Sequence, residues 1–173
     1  IGTNNINGSD YSVFTVARTT GGTNRRVISS SNYNWLLGFW GNMKDVFHID
    51  GWQTYPGGTP IANEVHMYSA TRNASSSQFY DFGNLINNGG PGGALPGIMQ
   101  LNSWNGGLSE SSDCDVAEVI VYNRVLSAAE RQVVEGYLAR KYNLTVPYAS
   151  LQAYQTQTTG ATVTYQGADA AGN

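Results

Sequence analysis

The stretch 113–144 constrains this chain more than any other, because it reads as one buried strand feeding one capped helix, while everything before it reads as strand and turn. Residues 116–122, Val-Ala-Glu-Val-Ile-Val-Tyr, form a short β-branched run of the kind a buried strand needs. Ser127 and Glu130 then stand at capping-box spacing, the hydroxyl placed to take a first-turn N–H and the carboxylate to reach back to the cap. Val133, Val134, Tyr137, Leu138 and Tyr142 follow at helical spacing and predict one apolar stripe. Asn143 supplies a stop, with Pro147 beyond it. Upstream, residues 11–18, 27–30, 34–40, 46–50, 65–72, 78–82 and 98–102 are short, aromatic or β-branched segments punctuated by Gly, Asn, Pro or Ser, the cadence of a sandwich. The glycine-rich segment 87–93 is a poor strand, since glycine loses most on ordering and Pro91 has no donor, and it is expected to be a surface loop near a binding rim. It has neither the Gly-Lys-Ser/Thr ending nor the following helix of a phosphate-cradling loop.

These residues carry a resemblance. The strand-to-helix segment resembles the closing segment of bacterial and viral laminin-G-like domains, members of the concanavalin A-like jelly-roll superfamily. The segment Glu64-Val65-His66-Met67-Tyr68-Ser69-Ala70-Thr71-Arg72, returning through Gln78-Phe79-Tyr80-Asp81-Phe82-Gly83, is similar to that family's central hairpin. With 11–18 and 35–40 the resemblance covers most of 11–144. It implies an all-β fold, an antiparallel β-sandwich (jelly roll) closed by one C-terminal α-helix, over residues 1–147. Such domains usually begin one or more strands earlier, and this chain opens with Ile1, so a processed product or an excerpt lacking its first strands is expected. Residues 148–173, rich in Gln, Thr, Ala and Gly, are expected to be a linker into another module, with Thr162-Val163-Thr164-Tyr165 as a first strand there, or an extra strand pairing with this domain or a neighbour.

Composition narrows the function. A chain of 173 residues is large enough to bury a real core. Its 21 glycines and 12% charged residues suit a turn-rich β fold. The net charge is −3, and no cation cluster exceeds the Arg25-Arg26 pair, too little for a nucleic-acid surface that must neutralise several phosphates. No apolar run approaches the ~20 residues that span a bilayer, so no membrane insertion is expected. Cys114 is the only cysteine and is expected to pack as a small hydrophobe, so stability must come from the core.

Three kinds of chemistry compete with structural roles for the polar residues. Laminarinase-type relatives carry Glu-x-Asp-x-x-Glu, which Asp113-Cys114-Asp115-Val116-Ala117-Glu118 mimics with an Asp in front. A regular strand puts Asp113 and Asp115 on one face and Glu118 on the other unless a bulge intervenes, whereas a retaining glycosidase needs two carboxyls about 5 Å apart. No catalytic residue is therefore assigned, and Asp115 and Glu118 are read as hydrogen-bond acceptors at a strand end. The resemblance allows calcium at the loop rim, for which Asp10, Asp45, Asp50, Asp81 and Asp113 are available, but no ligand set or cofactor is assigned. His48 and His66 lie 18 positions apart in different predicted strands without zinc-type spacing and are read as packed or surface imidazoles.

The aromatic residues are the strongest functional signal. Flat rings stack on the apolar faces of sugars while neighbouring Asn, Gln and Asp bind hydroxyls. Trp35 shares a strand face with Leu37 and Phe39 and is assigned to the core, whereas Trp40, Trp52, Tyr55 and Trp104 are assigned as ligand contacts. The expected function is non-catalytic recognition or adhesion: a module binding a glycan or a protein within a larger secreted, cell-surface or virion protein. The alternatives are a structural decoration or assembly subunit making strand contacts to neighbours, and a glycoside hydrolase.

Overall fold

The computed structural model describes residues 5–54, 59–107 and 109–148, together with the backbone of 152–159 and 162–168. In chain order the elements are β1 (Asn5–Ile6), β2 (Tyr11–Thr19), β3 (Ile28–Ser30), β4 (Trp35–Trp40), β5 (Met43–Ile49), β6 (Trp52–Thr54), β7 (His66–Arg72), β8 (Ser77–Asp81), β9 (Asn84–Gly89), β10 (Gly97–Leu101), β11 (Cys114–Tyr122), α1 (Ala128–Tyr142), β12 (Gln152–Thr159) and β13 (Thr162–Ala168). The strands pair antiparallel into a six-stranded sheet, β1-β10-β3-β4-β5-β6, and a five-stranded sheet, β11-β2-β7-β8-β9. The fold is the all-β sandwich with a single late helix that the sequence implied. Strands β12 and β13 pair with each other.

Alternation along the strands explains the layering. On β2, Tyr11, Val13 and Ala17 point between the sheets, where they meet Trp35, Leu37, Phe39 and Phe47 of one sheet and Tyr68, Ala70 and Phe79 of the other. These rings pack edge to face, Tyr11 on Trp35 at 6.3 Å and Trp35 on Phe47 at 6.3 Å, and the Trp35 indole N–H donates to the Tyr11 hydroxyl at 3.0 Å. Each fully buried ring or branched chain adds about 1.5–3 kcal/mol over leaving it in water. Phe14 and Val16, the alternate residues of β2, point outward and are sealed by α1 through Val134 and Leu138, with Met67 of β7 and Leu126.

The helix forms where the sequence placed it. Ser127 accepts the Glu130 N–H at 3.3 Å and Glu130 Oε2 accepts the Ser127 N–H at 2.8 Å, completing the capping box, and Asn143 ends the helix in the left-handed conformation at φ 53°. Its buried face differs from the predicted stripe. Arg131, Val134, Glu135, Leu138 and Ala139 face the sheet, while Tyr137 is 39% exposed. The sheet beneath is partly polar: Ser69 of β7 donates to Glu135, and the Arg131 guanidinium lies 3.7 Å above the Tyr80 ring of β8. The helix turns a buried ion pair toward those partners, with Arg131 Nη1 2.5 Å from Glu135 Oε2.

Three short strands were not expected: β1, β6 and β9. The last takes in Asn87, Asn88 and Gly89, so the glycine-rich loop begins later than its composition suggested. An edge strand needs only one ladder, which β8 provides, and its burial pattern shows mostly exposed residues that need no β-branched packing.

Candidate functional site

Trp40 closes β4, and Trp104 sits in the loop that follows β10. Hydrogen bonds fold that loop back over the six-stranded sheet: Ser29 of β3 donates to the Ser103 carbonyl, and the Arg26 N–H donates to the Glu110 carbonyl at 3.0 Å. The Arg26 side chain, 4% exposed, then fills the space between the two indoles, its guanidinium carbon 5.3 Å from the Trp40 ring centre and 4.7 Å from that of Trp104. Arg25 approaches Trp40 at 6.0 Å.

Every branch of the Arg26 fork is used. Nε donates to Glu110 Oε2 at 2.5 Å, Nη1 to the Trp35 carbonyl at 3.2 Å and Nη2 to Asn34 Oδ1 at 2.8 Å. Burial pulls the guanidinium below its ordinary value and Glu110 opposes that, so the cation stays charged and paired. Asn34 also accepts, on its backbone carbonyl, from His48 Nδ1 at 2.9 Å. Burial lowers the His48 imidazole below its usual range, against the Asn34 hydrogen bond and with help from the Arg26 charge. The neutral His48 ring in turn supports Trp52, its cross-strand partner, edge to face at 4.5 Å, and Trp52 is 39% exposed.

Of the assigned contacts, Trp40 and Trp104 therefore share one cation, and Trp52 is tied to the same residues through His48 and Asn34. Tyr55 lies outside the described residues. Arg26, Asn34, His48 and Glu110 were not singled out as site residues. The only sequence signal was the Arg25-Arg26 pair, which reads as a minor charge cluster until its neighbours are known.

The acidic stretch of β11 takes a different form from the regular strand considered above. A bulge at Ala117 shifts the register so that Asp115 pairs with Arg18 and Glu118 with Val16, which puts both carboxylates on the outer face beside the helix. Asp115 accepts from Arg18 Nε at 2.9 Å. Glu118 accepts from Lys141 Nζ at 2.9 Å, Tyr142 at 3.0 Å and Tyr137 at 3.2 Å. Burial pushes the Glu118 carboxyl up, but those donors outweigh it and hold it below the usual carboxylate range. A mainly apolar cleft of about 230 Å³ opens beside them, floored by Val16 and Ala117 and rimmed by Arg18, Val65, Asp115 and Tyr142.

Of the rim carboxylates, Asp113 accepts the Thr23 N–H from a loop distant in sequence at 3.0 Å, and Asp10 accepts from its neighbour Ser9 at 2.8 Å. Asp45 and Asp81 come together with His66 between the two sheets.

No family model matches the sequence, and no curated protein matches it. Solved structures do match in shape. One is the binding domain of botulinum neurotoxin DC in complex with SialylT, at TM-score 0.52 and 15% identity over 75% of this chain and 35% of that one. Another is botulinum neurotoxin type C, described as dependent on interaction with two ganglioside molecules to get into cells, at TM-score 0.51 and 17% identity over 75% of this chain and 36% of that one. This chain thus spans about a third of the length of those proteins. At such identity the likeness shows the fold alone, a β-sandwich shared with these toxin structures. Among the described residues no helix is long and apolar enough to cross a membrane.

Proposed function

We propose that this domain is a non-catalytic recognition module of the laminin-G-like jelly-roll type that binds a glycan through Trp40, Trp52 and Trp104, with Tyr55 in the adjoining loop, as part of a larger secreted or surface protein. One observation carries the reading: an exposed Trp52 and half-buried Trp40 and Trp104 are held in place by a hydrogen-bonded polar scaffold. Trp40 and Trp104 are held on either side of Arg26, and Trp52 is held by His48. A rigid ring costs little entropy on binding and offers a flat apolar face to a sugar. Asn34 and Glu110 accept from Arg26 and so fix the cation that orients two of the rings.

Support also comes from the toxin binding domains that share the fold, described as binding SialylT or gangliosides. Binding without bond cleavage fits the β11 carboxylates, because Asp115 and Glu118 are each committed to cations of their own domain. Binding to a glycan array and titration with the best glycan test the proposal. Trp52→Ala and Trp104→Ala are each expected to weaken binding at least tenfold, about 1.4 kcal/mol, while leaving the unfolding midpoint of the Trp52 variant unchanged. Unaltered affinity in both variants would reject this site.

A further inference from the structure

A second site lies inside the sandwich. On β5 the residue pairings jump from Gly38–Val46 to Phe39–Lys44, so Asp45 is the extra residue of a bulge and takes a left-handed φ of 64°. Its N–H leaves the ladder and donates to the Tyr68 hydroxyl at 3.1 Å, and that hydroxyl donates to Asp45 Oδ1 at 3.0 Å. Gly38 permits the approach, since a Cβ there would stand 2.6 Å from the Tyr68 ring. The bulge thus delivers a carboxylate from the six-stranded sheet to His66 and Asp81 of the five-stranded sheet. One ligand atom from each of Asp45, His66 and Asp81 lies within 4.8 Å of the others.

Three features make this a ligand set more than an ordinary ion pair. First, His66, 2% exposed, has Nε2 3.2 Å from Glu64 Oε1, and Glu64 is itself paired with Lys44. The imidazole is thus held between two carboxylates, with Nε2 on Glu64 and Nδ1 3.0 Å from Asp81 Oδ2, so that Nδ1 is the atom it offers to the cluster. Second, Asp81 Oδ1 is buried and has no hydrogen-bond partner among the described residues. Third, Phe39, Phe82 and Tyr68 pack around the imidazole with ring centres 5.9, 5.5 and 5.2 Å away, which fixes its orientation and excludes water.

We propose that Asp45, His66 and Asp81 form a structural site for a divalent transition-metal ion of the zinc class, which clips the two sheets together. One imidazole nitrogen and two carboxylate oxygens suit such an ion better than calcium, which prefers oxygen alone. Zinc bonds of about 2.0–2.2 Å place tetrahedral donors about 3.3–3.5 Å apart, so the His66–Asp81 pair at 3.0 Å opens slightly while the rest of the cluster, within 4.8 Å, draws in. The Tyr68 hydroxyl holds Asp45 Oδ1 in place by donating to it, and Glu64 acts as a positioning residue through His66 Nε2.

The test uses untagged protein stripped with a chelator. Zinc is expected to raise the thermal midpoint, and cobalt to bind one ion per chain with the visible absorption of a low-coordinate site, whereas calcium moves neither. Asp81→Asn keeps the side-chain shape and is expected to abolish both responses, and Glu64→Gln to weaken zinc binding about 10- to 100-fold while keeping the cobalt spectrum. Failure of zinc and cobalt to bind the wild type, a response to calcium alone, or equal binding by wild type and Asp81→Asn would each overturn the proposal. The cobalt spectrum of the wild type decides the matter even where a variant does not fold.

Discussion

At the residue scale, Arg26 shows how one side chain can serve both fold and site. Its aliphatic stem and planar head are buried between two indoles, and its N–H groups satisfy Glu110, Asn34 and the Trp35 carbonyl. Lysine can match the charge but not the fork. Arg26→Lys is therefore expected to cost about 2 kcal/mol in urea unfolding, since charge-assisted hydrogen bonds are lost and their acceptors left wanting. It should also change the tryptophan fluorescence, because Trp40 and Trp104 lose the plate between them. Unchanged unfolding and emission would mean that the guanidinium does not organise the rings.

At the scale of elements, α1 depends on its first turn as well as on its buried face. Arg124, foremost, together with the Ser127 backbone and hydroxyl, holds the Glu130 carboxyl down to about 2. A carboxylate whose folded pKa lies below its unfolded value, near 4.5, contributes stability that is complete above that value and is lost as pH falls through about 2. The thermal midpoint is thus expected to fall between about pH 4.5 and about pH 2, and Glu130→Gln should flatten part of that slope. The cap was legible because Ser127 and Glu130 are local partners with fixed spacing. The orientation of the helix was not: Val133 and Tyr137 satisfy a hydrophobic period as well as Val134 and Leu138 do. The choice fell to Arg131 and Glu135, which find Tyr80 and Ser69 on the sheet. Removing the apolar anchor, Leu138→Ala, is expected to cost about 2–5 kcal/mol in denaturant unfolding.

At the scale of the whole molecule, two sheets meet over an aromatic core whose centre is Trp35, 0% exposed and hydrogen-bonded to Tyr11 across the sandwich. Trp35→Ala is expected to cost about 3–5 kcal/mol, read as a lowered urea midpoint. A loss under about 1 kcal/mol would place the centre of the core elsewhere. Trp35 could be told from Trp40 in the sequence because alternation assigns neighbouring residues to opposite faces. The long strands 11–18, 65–72 and 116–122 were visible for the same reason, each being a pleated, β-branched or aromatic run. The edge strands β1, β6 and β9 were not, because a strand that pairs on one side and faces water on the other needs no special residues.

By itself the sequence determined what depends on neighbours along the chain: the inward and outward faces of the long strands, the capped helix, and a sandwich in place of a bundle. The tertiary structure alone decided which distant residues meet. It set Arg26 between Trp40 and Trp104, turned Glu118 outward through a bulge at Ala117, and carried Asp45 across to His66 and Asp81. The physical reason is one of range. Periodicity and capping are short-range preferences fixed within a few residues, whereas register shifts and strand order arise from packing two whole sheets, and a single extra residue redirects every side chain after it.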